Sequence, residues 1–151
     1  MVQQLIVSGS PSDACELTLD PNTAHRQLSL SEDNRKVTLV EEYQSYPVHP
    51  ERFDSLPQVL GREALTGRCY WEVEWEGQTV LRIPPAGSTR VGVYLDRPAG
   101  SLSFYRVSPG GGGSSDTLTH LHTFWSSFTQ EDLLPGVGVY EEGNSVSLCR
   151  L

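Results

Sequence analysis

The chain has 151 residues, enough for one domain, and its 37% hydrophobic residues, 14 glycines and 10 prolines are typical of a folded, loop-rich β protein. Its 19 acidic and 11 basic residues give a net charge of −8, which excludes long-range attraction to phosphate backbones and anionic membranes. Because no apolar run approaches the ~20 residues of a membrane helix and the first residues lack a signal pattern, we expect a cytoplasmic protein with no nucleic acid or membrane partner.

The first third of the chain predicts a flexible leader followed by a β-meander. Residues 1–12 are polar apart from one apolar triplet, so we interpret them as the leader. Leucines alternate with polar residues over residues 15–19 and 27–30, which predicts two short strands. Asp20-Pro21-Asn22 supplies a turn between them. Residues 37–40 predict a third strand.

An exposed loop and a half-buried strand follow. Residues 41–53 are polar, contain prolines and have no periodicity, which is typical of a surface loop. Residues 70–75 then alternate between two faces. Glu72 and Glu74 share one face, where they suit acid/base chemistry if both are buried and otherwise only solvate the sheet. We expect the opposite face to be core, because it carries Trp71, Val73 and Trp75.

Residues 90–107 predict a β-hairpin. Val91, Val93 and Leu95 alternate with other residues, and the alternation resumes at Leu102 after the turn sequence Pro98-Ala99-Gly100. By itself this pattern indicates only a pair of antiparallel strands.

The last third contains a glycine-rich loop and further strands. Residues 108–116 include four consecutive glycines, which favours a flexible loop. A phosphate-binding loop is the alternative, but it needs a following helix and usually a lysine, whereas residues 117–124 predict a strand without lysine. Residues 133–139 and 145–151 predict two closing strands joined by a turn.

Three motifs in order carry a family resemblance. They are Leu19-Asp20-Pro21, Trp71-Glu72-Val73-Glu74, and Leu95-Asp96 with Ser103-Phe104-Tyr105. With them the chain resembles a PRY-SPRY domain over residues 13–151, the PRY part covering about 13–65 and a truncated SPRY part about 66–151. The resemblance is closest to tripartite-motif ubiquitin ligases, NACHT-type receptors and stonustoxin-like proteins. It implies an all-β fold, an antiparallel β-sandwich of the concanavalin-like jelly-roll type.

One departure from the family pattern concerns the middle of the chain. The family places several dozen residues between its second and third motifs, whereas Trp75 and Arg90 are 15 positions apart. We predict that a central block is missing, with the joint near Gln78. A skipped exon, a faulty gene model or a genuine short variant would each produce this sequence. The missing strands predict apolar faces without partners, and the family's aromatic binding position is Val137 here.

The residues that could carry chemistry have simpler explanations. His120 and His122 are expected on one strand face, where they would share a metal ion or form a plain surface pair. No Gly-x-Ser-x-Gly sequence or catalytic cysteine pattern is present. The three cysteines are odd in number and widely spaced, so we expect reduced thiols. The sequence predicts no enzyme activity, no metal and no cofactor.

What remains is recognition of a protein or peptide by surface loops. The resemblance implies a non-catalytic recognition domain in innate immunity or ubiquitin-ligase targeting, whose ligase activity would need a RING domain. The alternatives are a fragment of a secreted stonustoxin-like pore-forming protein and a non-functional truncated product. Aromatic and arginine side chains dominate binding energy, although Trp125 and Phe128 also suit the core. The candidate contact residues are Tyr43, Tyr46, His49, Arg52, Arg97, Trp125 and Phe128.

Overall fold

The computed structural model describes residues 4–6, 13–77, 89–110, 115–128 and 133–151. All regular secondary structure in these ranges is β-strand, and they contain no helix of the length and apolarity that a membrane crossing needs. The strands are β1 Gln4–Ile6, β2 Leu28–Ser31, β3 Lys36–Leu39, β4 Gln58–Leu60, β5 Arg68–Glu76, β6 Thr89–Asp96, β7 Ser101–Ser108, β8 Thr117–Trp125, β9 Gly136–Gly138 and β10 Ser145–Leu148.

Two antiparallel sheets form the fold, as predicted for a β-sandwich. Eight strands pair in the order β1-β8-β7-β6-β5-β10-β3-β2, and β4 pairs with β9 in a second, two-stranded sheet. Side chains from both sheets meet in one hydrophobic core. Two residues of the predicted core face of β5 contribute to it, because Trp71 is buried and Val73 packs against the same cluster. Trp75, the third residue of that face, is half-buried. Other buried members are Leu19, Leu28, Val37, Val59, Leu65, Leu95, Val139 and Leu148.

The hairpin predicted for residues 90–107 is confirmed. Strands β6 and β7 pair in register from Val91 with Arg106 to Asp96 with Ser101. Gly100 closes the turn with a φ of 75°, a conformation that glycine adopts at low cost. A side chain there would also clash, because a Cβ atom would lie 2.6 Å from the carbonyl oxygen of Ser126. The turn and the segment after β8 are thus in direct contact.

The predicted strand at residues 15–19 is wrong. Its backbone groups bond to separate partners: Cys15 N donates to Tyr70 O at 2.9 Å, and Leu19 N donates to Asn34 O at 2.7 Å. The carboxylate of Glu63 accepts hydrogen bonds from both the backbone N–H and the hydroxyl of Thr18. Alternating leucines therefore bury one face of an irregular segment, whereas the strands predicted near residues 27–30 and 37–40 form β2 and β3.

The expectation of reduced thiols is wrong for two of the three cysteines. Cys15 and Cys69 form a disulfide, with their Cα atoms 5.6 Å apart. The physical reason is a parallel bridge between Ala14 and Tyr70, which brings the segment after the leader beside the start of β5. Cys149 is free and half-buried.

The predicted leader contains a strand, and the two predicted closing strands are present as β9 and β10. Residues 4–6 of the predicted leader form β1 and pair with Thr117–Thr119 of β8. The two closing strands belong to different sheets, because β9 pairs with β4 while β10 lies between β5 and β3. The predicted joint near Gln78 and the four central residues of the glycine-rich loop lie outside the described residues.

Candidate functional site

The seven predicted contact residues form two groups rather than one surface. The first group lies in residues 40–57, the β3–β4 loop. This loop bonds to the residues just before β2, because Val40 N donates to Gln27 O and Gln44 N donates to Arg26 O. The second group lies at the β6–β7 turn, at the end of β8 and just after it. Five strands separate β2 from β8 in the large sheet. The fold therefore offers two separate candidate sites.

Arg52 is buried and holds the β3–β4 loop in place. Its Nε and Nη2 atoms donate to Pro47 O at 3.2 and 2.8 Å, and its Nη1 atom donates to Pro21 O and Ala24 O, both at 2.8 Å. A guanidinium carries five N–H donors in a fixed planar arrangement, and backbone carbonyls of the chain itself take up this group. The prediction that Arg52 contacts a partner stays untested, but its observed contacts are structural.

The aromatic residues of the same loop differ in exposure. The hydroxyl of Tyr46 donates to Leu28 O at 2.6 Å, its ring lies 4.9 Å from the Arg52 guanidinium, and burial raises its pKa. His49 is half-buried, and its Nδ1 accepts from the N–H of Glu51 at 3.1 Å. Tyr43 is 69% exposed. Tyr43 is thus the member of this group with most of its side chain open to a partner.

Arg97, Trp125 and Phe128, the second group, come together around one concave site. Arg97 donates from Nε and Nη2 to Phe128 O at 3.2 and 3.0 Å, and from Nη1 to Leu65 O at 3.1 Å. Trp125 is 73% exposed, and Phe128 packs partly against the core. The Trp125 pocket, as we name this site, has a volume of about 440 Å³ and is lined by Arg97, Pro98, Ala99, Gly100, Trp125, Ser126, Ser127 and Phe128.

Two further apolar side chains of β8 are exposed, and their exposure was not predicted from the sequence. Phe124 is 53% exposed and Leu121 is 50% exposed. The Phe124 ring meets the Phe104 ring edge-on at 5.8 Å and the His122 ring at 4.3 Å. The available signal was the alternation of apolar and polar residues along β8, which a β-bulge interrupts.

The expectation that His120 and His122 share a strand face is wrong because of this β-bulge. The register shifts between Phe104 and Tyr105, so that Phe104 pairs with His122 and Tyr105 with His120. Because neighbouring residues of β7 point to opposite faces, the two imidazoles do so as well. Within the described part of the chain, no group of three or more His, Cys, Asp and Glu residues has the arrangement of a metal site.

The carboxylates of β5 belong to an ion-pair network. Arg90 Nε lies 3.4 Å from a Glu72 oxygen and 3.7 Å from a Glu74 oxygen. The Tyr70 hydroxyl donates to Glu72 at 2.6 Å, and burial together with this hydrogen bond raises the pKa of Tyr70. Glu72 is buried, which differs from a solvated sheet face. The carboxylates are thus engaged by Arg90 and Tyr70 within the fold.

Comparison with known proteins identifies relatives for most of the chain. The family model for PRY, the SPRY-associated domain, matches residues 17–65. Stonustoxin subunit alpha of Synanceia horrida is 34% identical over 183 residues, covering 89% of this chain and 25% of the toxin subunit. The E3 ubiquitin-protein ligase TRIM69 of Mus musculus is 36% identical over 175 residues, covering 87% of this chain and 33% of the ligase.

The crystal structure of the TRIM65 PSpry domain has the same fold, with a TM-score of 0.68, 23% identity and 92% of each chain covered. The present chain spans between a quarter and a third of the two sequence relatives. The 183-residue alignment is also longer than the 151-residue chain. The toxin subunit therefore has residues inside the aligned region that this chain lacks.

Proposed function

Because this chain is a PRY-SPRY domain, a type of domain that binds other proteins, we propose that it recognises a protein or peptide through the Trp125 pocket. The observation that carries this proposal is the 73% exposure of Trp125 beside a concave site of about 440 Å³. Tryptophan, tyrosine and arginine are enriched at positions that dominate binding energy. An exposed indole at the rim of a pocket is suited to insertion into a partner surface.

The β3–β4 loop is the weaker of the two candidate surfaces. Its arginine donates to three carbonyl oxygens of the chain, and Tyr46 uses its hydroxyl within the fold. Tyr43 and Val48, 69% and 91% exposed, remain open. The Trp125 pocket instead combines an exposed indole with a concave site of about 440 Å³ beside it.

We further propose that the partner is a protein selected for ubiquitination or an innate-immune ligand. This role is supported by the similarity to TRIM69, whose name describes an E3 ubiquitin-protein ligase. In that role the present domain is non-catalytic and supplies only the selection step. The transfer of ubiquitin would belong to a RING domain of a longer protein.

A matched pair of variants tests the binding surface. Trp125 and Tyr43 are aromatic and exposed to a similar degree, 73% and 69%. We expect proteins recovered from cells with the wild-type chain to be recovered equally with Tyr43→Ala and to be lost at least tenfold with Trp125→Ala, measured by quantitative mass spectrometry. Loss with Tyr43→Ala and retention with Trp125→Ala would assign recognition to the β3–β4 loop instead.

A second candidate function is a recognition domain within a secreted stonustoxin-like protein. Two observations favour it: the 34% identity to stonustoxin subunit alpha over 89% of this chain, and the Cys15–Cys69 disulfide. Disulfides persist mainly in oxidising compartments. A cytoplasmic location belongs with the first candidate and an extracellular location with the second.

Peptide mapping of the protein from its native tissue under non-reducing conditions separates the two locations. Recovery of a linked Cys15–Cys69 peptide favours the extracellular candidate, and recovery of both thiols in the alkylated, reduced form favours the cytoplasmic one. Sequencing the full transcript decides independently whether toxin-like or RING-encoding segments accompany this domain.

A further inference from the structure

An apolar cavity lies inside the sandwich, apart from the charged network on β5. It is bounded on one side by the inner face of the large sheet and on the other by β9 and the residues before it, and its volume is about 440 Å³. Its described lining residues are Leu19, Gly61, Leu65, Trp71, Val73, Val93, Leu95, Leu102, Phe104, Phe128, Leu133, Leu134, Pro135, Gly136, Val137, Gly138, Val146 and Leu148.

The chemistry of this lining is uniform. Among the described residues, no lining side chain is charged, and the single polar side-chain group is the indole N–H of Trp71. Ordered water needs two to four polar partners, and apolar cavities of this kind stay dry and take up apolar molecules. Water is therefore a poor occupant of the space.

The floor of the cavity is withdrawn from solvent, whereas its rim, which includes Leu134 and Gly136, is exposed. Leu19, Leu95 and Leu65 are 1%, 2% and 5% exposed, and Trp71 and Val93 are 8% and 6% exposed. An empty cavity destabilises a protein in proportion to its volume, because the lining atoms lose van der Waals contacts. A bound molecule of matching shape would restore those contacts.

We propose that this cavity binds a small, neutral, hydrocarbon-rich molecule. The volume falls within the range of ligand pockets, ~300–1,000 Å³. A charged group is excluded from the buried floor, because its desolvation would find no compensating partner among the described lining residues. An aliphatic chain of moderate length or an aromatic hydrocarbon meets both conditions, whereas a phosphate, a carboxylate or a polar peptide does not.

The neutral fluorescent probe N-phenyl-1-naphthylamine tests the proposal on the full chain. We expect saturable binding with one site per chain, and displacement by 1-dodecanol at concentrations below its solubility limit. Dodecanoate at pH 8 differs only in its charged head group, and we expect it to displace the probe at least tenfold less well. No saturable binding, or equal displacement by the two competitors, overturns the proposal.

A pair of valine substitutions locates the probe. Val137 lines the cavity, whereas Val48 is 91% exposed on the β3–β4 loop. Val137→Phe fills part of the space and is expected to weaken probe binding at least tenfold, while Val48→Phe is expected to leave it unchanged. A folded Val137→Phe chain that binds the probe like wild type contradicts the assignment.

A measurement on the wild-type chain keeps the test decisive if Val137→Phe does not fold. A ligand that binds the native state and not the unfolded chain raises the unfolding temperature, by an amount that grows with the ratio of its concentration to Kd. We expect 1-dodecanol to raise the midpoint of wild-type thermal unfolding and dodecanoate to leave it unchanged. A shift with neither compound, or an equal shift with both, overturns the proposal.

Discussion

Arg52 in the β3–β4 loop and Arg97 at the β6–β7 turn both donate hydrogen bonds to backbone carbonyl oxygens, but they differ in burial. Arg52 donates to carbonyl oxygens of Pro21, Ala24 and Pro47, and Arg97 donates to those of Leu65 and Phe128. Both guanidinium groups fix irregular chain segments to the sandwich. Arg52 is buried, whereas Arg97 is only half-buried.

The aromatic residues beside the two arginines account for the difference in proposed role. Tyr46 lies against Arg52 and donates its hydroxyl to Leu28 O, so the loop uses it for its own packing. Trp125 stands at the rim of the pocket that Arg97 helps to form and is 73% exposed. An arginine with an aromatic neighbour is therefore a poor indicator of binding until the exposure of the ring is known.

The largest expected effect on stability comes from removing Arg52, the buried arginine of the two. Arg52→Ala leaves the buried carbonyl oxygen of Ala24 and the partly buried ones of Pro21 and Pro47 without this donor, and we expect it to lower the free energy of unfolding by about 3 kcal/mol. Arg62, which is exposed, provides the control, because Arg62→Ala should change stability by less than about 0.5 kcal/mol. Urea unfolding followed by tryptophan fluorescence measures both variants.

The wild-type curve of that experiment has a second use. A single cooperative transition is the behaviour of a folded domain and would show that the shortened sandwich folds without the missing strands. Equal losses in Arg52→Ala and Arg62→Ala would show that the hydrogen bonds of Arg52 add little to stability.

Removing Arg97, the half-buried arginine, should have a smaller effect on stability. Arg97→Ala frees carbonyl oxygens that water can reach, so we expect a loss of about 1.5 kcal/mol, measured by the same urea unfolding. The variant should also weaken partner recovery, because the Trp125 pocket loses one wall. A loss as large as that of Arg52→Ala would remove the distinction between the two arginines.

The two tyrosines of the β3–β4 loop sharpen the comparison further. Tyr46→Phe removes the hydrogen bond to Leu28 O, and we expect it to cost about 1 kcal/mol of unfolding free energy. Tyr43→Phe removes a hydroxyl from a side chain that is 69% exposed and should have no measurable effect. Urea unfolding of the two variants measures both changes in unfolding free energy. Similar losses of unfolding free energy in the two variants would contradict the structural role of Tyr46.

The smallest expected effect is the pH dependence of the same pair. Burial raises the pKa of Tyr46 above its ordinary value of 10.0, so the folded state favours the neutral phenol. This contribution is complete below pH 10 and is lost as pH rises through the folded-state pKa. The stability difference between wild type and Tyr46→Phe should therefore narrow in urea unfolding above pH 10, whereas a constant difference up to pH 11 would contradict it.

The sequence was most informative where local rules decide the structure. The hairpin of β6 and β7 followed from the alternation of Val91, Val93 and Leu95 and from a turn that needs Gly100. The core face of β5 followed from the same period. The three sequence motifs predicted the PRY-SPRY family and the β-sandwich fold.

The remaining features depend on contacts between distant parts of the chain. The Cys15–Cys69 disulfide joins residues 54 positions apart, and no local pattern indicates that pairing. The bulge at Leu121 separates His120 from His122 because β7 and β8 shift register. The partners of Arg52 and Arg97 are backbone carbonyls, whose positions the residue types do not specify.

Hydroxyl-radical footprinting of the chain, free and in complexes recovered from cells, tests the central claim most directly. Both Trp125 and Tyr43 are exposed in the free chain, so both should be oxidised readily. We predict that complex formation reduces the oxidation of Trp125 at least fivefold and leaves that of Tyr43 unchanged. Protection of Tyr43 with unchanged oxidation of Trp125 would contradict the account and place recognition on the β3–β4 loop.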